Sequence, residues 1–199
     1  MNIVCYFISF NGIGNSRGMY GDLVCELASR GHNVYVIAPS KNNMAGIENY
    51  GNVKICWVNS IKLLNVGFIA KALANLMLPF LFLNASKKYL PQTVDMVISP
   101  TPPITLTNVI RRVKKQHNSF FYLILRDIFP QNAVDLGIMT NGGIVHKYYR
   151  RVEKKLYKLA DRIGCMSQGN VDYLLYHNPE LDPSKAVILP NWINVDKKY

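Results

Sequence analysis

The chain has 199 residues, enough for one domain with a sizeable core or two very small ones. Hydrophobic residues make up 49% and charged residues 18%, which excludes a disordered chain. Lys and Arg number 23 against 12 Asp and Glu, and this formal net charge of +11 asks for an anionic partner: nucleic acid, membrane surface, phosphorylated substrate or nucleotide.

Asn2 to Phe10 is a continuous run of branched and aromatic residues, broken by Asn11-Gly12-Ile13-Gly14-Asn15. That pattern predicts a buried strand ending in a Gly-rich turn. Met19 to Arg30 carries Leu23, Val24 and Leu27 at helical spacing and stops at Gly31, a favourable helix end. Val34 to Ala38 is the next strand, closed by Pro39. Strand, turn, helix and strand form a βαβ unit, which implies a parallel sheet.

The alternation continues with a strand over 53–58, a helix over 66–89, a strand over 94–99 and a helix over 104–116. A strand over 119–126, a long helix over 142–160, a strand over 162–166, a short helix over 169–176 and a strand over 186–189 follow. Pro39 to Asn52 reads as the one long loop. The fold class is α/β: a doubly wound, mostly parallel Rossmann-like sheet of about seven strands.

Phe68 to Leu83 is apolar over sixteen residues but interrupted by Lys71, Asn75 and Pro79. A membrane span needs ~20 predominantly apolar residues, so a buried or interfacial helix is the better reading. No basic stretch followed by an apolar run and a cleavage site opens the chain. Cys5, Cys25, Cys56 and Cys165 lie in apolar stretches without a C-x-x-C pair or a His cluster. They read as free thiols suited to a reducing cytoplasm, and no metal site is expected.

Ligands of an open parallel sheet bind beyond the carboxyl ends of its strands. The first loop there carries Gly12, Gly14 and Arg17 ahead of a helix. Glycines let backbone amides approach an anion, and Arg17 would add a counter-charge. A plain tight turn explains the same glycines, and both readings are open. A dinucleotide fingerprint is disfavoured, because Arg17 stands where the third glycine belongs and Ala38-Pro39-Ser40-Lys41 offers no ribose-binding acid.

Arg126-Asp127 ends a wholly apolar strand and places a carboxylate at the ligand edge of the sheet. Asp127 there is suited to accept a hydrogen bond from a sugar hydroxyl or to act as a base, or else to pair with Arg126 or cap the next turn. In the long helix, Val145, Tyr149, Val152, Leu156 and Leu159 form a core stripe. Its other faces carry Lys147, Arg150, Arg151, Lys154, Lys155 and Lys158 against a single Glu153. A solvated face and a surface for anionic lipid, at ~1 kcal/mol per basic residue near the membrane, are both open. His32, His117, His146 and His177 form no triad or metal pattern, and no recognition helix or stacking-aromatic array supports nucleic-acid binding.

Five stretches together carry a resemblance: Leu27-Ala28-Ser29-Arg30-Gly31-His32, Ser99-Pro100-Thr101-Pro102-Pro103-Ile104, Arg126 through Gly137, Ala160-Asp161-Arg162-Ile163, and Leu189-Pro190-Asn191-Trp192. With them the chain resembles, over nearly its whole length, the N-terminal half of GT-B glycosyltransferases of family 4, of the bacterial O-antigen, capsule and colanic-acid type. That resemblance implies two Rossmann-like domains facing a cleft. Residues 1–190 would be the acceptor-side domain, and 191–199 the start of a hinge to a C-terminal domain that holds the nucleotide-sugar.

The same resemblance implies a retaining transfer from a UDP- or GDP-sugar, with no tightly bound cofactor and no metal. The acceptor would be a polyprenyl-diphosphate-linked saccharide at the cytoplasmic face of the bacterial plasma membrane. Alone, the 199 residues would be inactive. Gly12, Gly14 and Arg17 match the loop that faces the donor phosphates, and Asp127 matches the position facing the reacting sugar. Thr101, Arg126, Gln131 and Asn132 would lie on the acceptor side. Ile13 between the two glycines departs from relatives that carry adjacent glycines. A membrane-adaptor subunit of a split transferase is the alternative.

Overall fold

A computed structural model of the chain describes residues 1–14, 18–40, 45–59 and 68–192. Arg17 and the segment 193–199, and with them most of the expected hinge, lie outside the described residues. Eight strands form one sheet in the order β3-β4-β2-β1-β5-β6-β7-β8 among the described residues. They are β1 (Asn2–Tyr6), β2 (Asn33–Pro39), β3 (Gly46–Tyr50), β4 (Val53–Val58), β5 (Met96–Pro100), β6 (Phe120–Leu125), β7 (Arg162–Cys165) and β8 (Ala186–Ile188). All neighbours run parallel except β3, which pairs antiparallel with β4.

The helices are α1 (Gly18–Ser29), α2 (Phe68–Tyr89), α3 (Thr107–His117), α4 (Gln131–Asp135), α5 (Ile144–Leu159) and α6 (Gln168–His177). Ile3, Val4, Cys5 and Tyr6 of β1 are all buried, because helices cover both faces of the central strands. One core layer packs Leu78 and Phe82 of α2, Ile110 of α3, Leu156 of α5 and Leu174 of α6 against β1, β5 and β6. The other sets Val24 and Leu27 of α1 against β1, β2 and β4.

Three elements depart from the sequence reading. β3 lies within the expected 39–52 loop and raises the strand count from seven to eight. Its five residues are all exposed, so it carries no burial pattern and owes its place to backbone pairing with β4. Residues 131–135 form the short α4, and residues 104–106 form a 3-10 turn that leads into α3. No helix of the described residues is long and apolar enough to cross a membrane.

The amino edge of the sheet is held by carboxylates. Asp95 accepts the Asn2 amide at 2.6 Å, and Asp161 accepts the Phe121 amide at 2.7 Å as well as the Lys114 ammonium. Beyond β8 the chain turns back. The Leu189 amide donates to the Cys165 carbonyl at 2.6 Å, and Leu189 packs over Gly164. A Cβ at Gly164 would stand 2.9 Å from Leu189 Cβ and 2.8 Å from the Tyr122 hydroxyl. Gly164→Ala is therefore expected to cost about 1–3 kcal/mol in urea unfolding, and an unchanged midpoint would mean that Leu189 moves aside freely.

Candidate functional site

The strand order reverses between β1 and β5, since β2 lies on one side of β1 and β5 on the other. Such a switch point opens a crevice at the carboxyl ends of the strands. Two loops border it, the stretch after β1 and the turn after β5, and the turn after β6 stands alongside.

In the first loop Gly12 is buried with φ of +81°, a left-handed conformation that favours glycine. Gly14 is exposed and has no positive φ, and a Cβ there would meet nothing within 4 Å. The two glycines thus differ: Gly12 shapes the turn, while Gly14 leaves open space beside the backbone.

Thr101 is 2% exposed, so it does not line the crevice as an acceptor contact. Its hydroxyl instead accepts the Arg126 amide at 3.1 Å and donates to the Asp127 carbonyl at 3.0 Å. One side chain from β5 therefore satisfies both backbone groups freed where β6 leaves the sheet. It is a positioning residue for Asp127.

Asp127 is exposed at the carboxyl edge, and no hydrogen bond or ion pair engages its carboxylate among the described residues. The Arg126–Asp127 ion pair that the sequence left open is not formed. Arg126 turns toward α1, where its Nη1 donates to Met19 Sδ at 3.2 Å and its guanidinium lies near Tyr20. Burial raises the Tyr20 pKa, with the Arg126 contact working against it. The Arg126 Nε is buried without a partner.

Trp192 closes the same junction, its Nε1 donating to the Met19 carbonyl at 2.9 Å. Three distant stretches, at Met19-Tyr20, Arg126-Asp127 and Leu189 to Trp192, meet here. In sequence the last of these stands out as a motif whose final two residues open the expected hinge; the indole at its end was the available signal for this contact. Gln131 and Asn132 open α4. Gln131 donates to Asp135 at 2.8 Å, and Asn132 Oδ1 is buried without a partner.

The basic helix α5 divides into two sets. Lys147, Arg151, Lys155 and Lys158 are exposed. Arg150 is not part of an outward face: it pairs with Glu153 and donates to the His177 carbonyl at 2.6 Å and Asn178 Oδ1 at 3.0 Å. Lys154 pairs with Glu180 at 2.9 Å. Glu153, expected on a solvated face, is 1% exposed and also accepts the Tyr157 hydroxyl at 2.6 Å. Val145, expected in the core stripe, is exposed; with Ile144 (90% exposed) and Tyr148 it forms an apolar tip on the helix. Among the described residues no group of three or more His, Cys, Asp or Glu side chains is placed to hold a metal ion.

A model of Glycosyltransferase Family 4 matches residues 20–197 of the chain. The chain is 25% identical over 124 residues to "Probable glycosyltransferase WbjE" of Pseudomonas aeruginosa, an alignment covering 62% of this chain and 30% of that protein. Among solved structures it is similar to sucrose-phosphate synthase from Thermosynechococcus elongatus, with a TM-score of 0.62, 14% identity and coverage of 96% of this chain and 48% of that one. It is also similar to WaaG, described as a glycosyltransferase involved in lipopolysaccharide biosynthesis, with a TM-score of 0.60, 16% identity and coverage of 100% and 47%. At these identities the structures show the fold, that of a GT-B Rossmann-like half. The chain spans about half the length of the solved proteins and less than a third of the curated one.

Thr101→Val leaves two part-buried backbone groups without that partner and is expected to cost about 1 kcal/mol, measured by chemical unfolding. A variant as stable as the parent would show that water replaces the hydroxyl. Glu153 gives a pH signature. Burial pushes its carboxyl above the ordinary 4.5 despite the Tyr157 and Arg150 contacts. The folded state then holds the proton more tightly, so stability falls as pH rises from about 4.5 through the raised value. Glu153→Gln should flatten that slope; an unchanged stability-against-pH curve would assign it to other groups.

Proposed function

The chain belongs to Glycosyltransferase Family 4, and from that premise we propose that it is the acceptor-side half of a two-domain, retaining glycosyltransferase. In this reading residues 1–190 bind the acceptor and 191–199 begin the hinge. A second Rossmann-like domain holds a UDP- or GDP-sugar, and the 199 residues alone do not turn over.

Asp127 carries the proposal. Its carboxylate is unengaged, it stands at the carboxyl edge of the sheet beside the switch point, and Thr101 fixes its backbone. A carboxylate so placed accepts a hydrogen bond from an acceptor hydroxyl and takes its proton as the new bond forms. Gly12 and Gly14 face the departing diphosphate with backbone amides, and the second domain supplies most of the remaining stabilisation of the leaving group. Arg126, whose Nη1 donates to Met19 Sδ, holds the β6 end against α1. Gln131 and Asn132 extend the acceptor side along α4.

The acceptor proposed is a polyprenyl-diphosphate-linked saccharide of cell-surface polysaccharide synthesis, met at the cytoplasmic face of the plasma membrane. Family membership and the likeness to WaaG and WbjE support this reading. On α5, Lys147, Arg151, Lys155 and Lys158 would meet anionic head groups, and the tip of Ile144, Val145 and Tyr148 would enter the apolar boundary. Arg150 and Lys154 drop out of that face.

The test is transfer by the two-domain protein to lipid-linked acceptor with a panel of UDP- and GDP-sugars. Asp127→Asn is expected to lower kcat by roughly 10²–10⁴-fold with an unchanged melting temperature, the usual worth of a positioned acid or base. Turnover at the parent rate would remove Asp127 from the chemistry.

A further inference from the structure

A cleft of about 250 Å³ separates α5 from α6, and of its lining residues the site above uses Gln131. Helix–helix seams usually close with interdigitating apolar side chains. This one stays open over a polar base. Glu153 and Asn178 lie there, 1% and 3% exposed, with Arg150 bonded to both. The Tyr157 hydroxyl completes the base by donating to Glu153 at 2.6 Å. These groups satisfy one another, and the guanidinium is matched by the carboxylate. The base is a rigid frame without an unpaired charge.

The upper walls differ. The Tyr173 hydroxyl, the Asn141 amide and the His177 ring have no hydrogen-bond partner among the described residues, and all three residues line the cleft. His146 also lines it; its Nδ1 accepts the Gly142 amide at 3.2 Å, which leaves Nε2–H as a donor. The rings of Tyr173 and His177 pack against each other, 4.1 Å apart and tilted by 33°, and give one wall an aromatic character. Ile128, Pro130 and Gln131 also line it, and they follow Asp127 in the chain.

This chemistry selects a class of ligand. An aromatic wall takes the C–H groups of a sugar, while a phenol, an imidazole and an amide meet hydroxyls that both donate and accept. An anion finds no unpaired cation there. The volume falls below the ~300–1,000 Å³ of drug-sized pockets and suits a single ring. We propose that the α5–α6 cleft is a subsite for one uncharged pyranose unit of the acceptor, neighbouring the unit held at Asp127. The assignment to an acceptor rests on the transferase reading above; the sugar-binding site itself does not.

Titration of the 199-residue chain with methyl glycosides of glucose, galactose and rhamnose, followed by the imidazole NMR signals of His146 and His177, tests it. At least one glycoside should give saturable shifts below about 100 mM, with affinity weakened about tenfold in Tyr173→Ala and less in Tyr173→Phe. Absence of saturable shifts would overturn the proposal. So would equal shifts with glycerol, or full affinity in a Tyr173→Ala protein whose unfolding midpoint matches the parent. The readout involves no transfer: saturable binding by a chain whose two-domain form proves inactive would refute the transferase reading and keep the subsite. Transfer without glycoside binding would do the reverse.

Discussion

The Thr101 hydroxyl sets where everything at the carboxyl edge stands. A parallel sheet leaves backbone groups unpaired wherever a strand departs, and burial makes each one expensive. Thr101 meets two of them, at Arg126 and Asp127, from the neighbouring strand. The β6 turn is consequently fixed to β5 by a side chain, and the next carboxylate in the chain is presented outward. Arg126 carries the constraint across the switch point to Met19 on α1, and Trp192 meets the carbonyl of the same residue. Carboxylates elsewhere on the sheet show the contrast. Asp95 and Asp161 at the amino edge are committed to amides, whereas Asp127 is not.

Much of this was legible in the residues. Continuous apolar runs at Asn2 to Phe10 and Ser119 to Arg126 could belong only to strands covered on both faces, and the helices between them fixed a parallel sheet. β3 was not legible, because a strand exposed at every position has no alternation to read. α4 escaped because five residues are too few for a helical period. The position of Asp127 at a strand end could be read, but the choice among its partners could not, since it depended on Thr101, 26 residues away.

Helix α5 shows the same limit in its charges. Six basic residues on one helix look alike in sequence, yet two of them, Arg150 and Lys154, are each paired with a carboxylate. Arg150 is drawn in by Glu153, and Glu153 is buried because α6 and the segment behind it supply Asn178 and the His177 carbonyl to complete the frame. Spacing along a single helix cannot report which face a second helix will cover. The outward charge is smaller than the count suggests, and it is joined by an apolar tip that a core-stripe reading would have placed inside.

The bond from the Trp192 indole to the Met19 carbonyl joins residues 173 positions apart. Contacts of such separation close late, because the loop entropy must be met before they form. During synthesis the β1–α1–β2 unit emerges first and can assemble its own layer. The start of α1, however, lacks this anchor until almost all of the described chain has left the ribosome. The helix beside the switch point is thus held in part by a residue far along the chain, and the crevice is complete only once Trp192 has reached Met19.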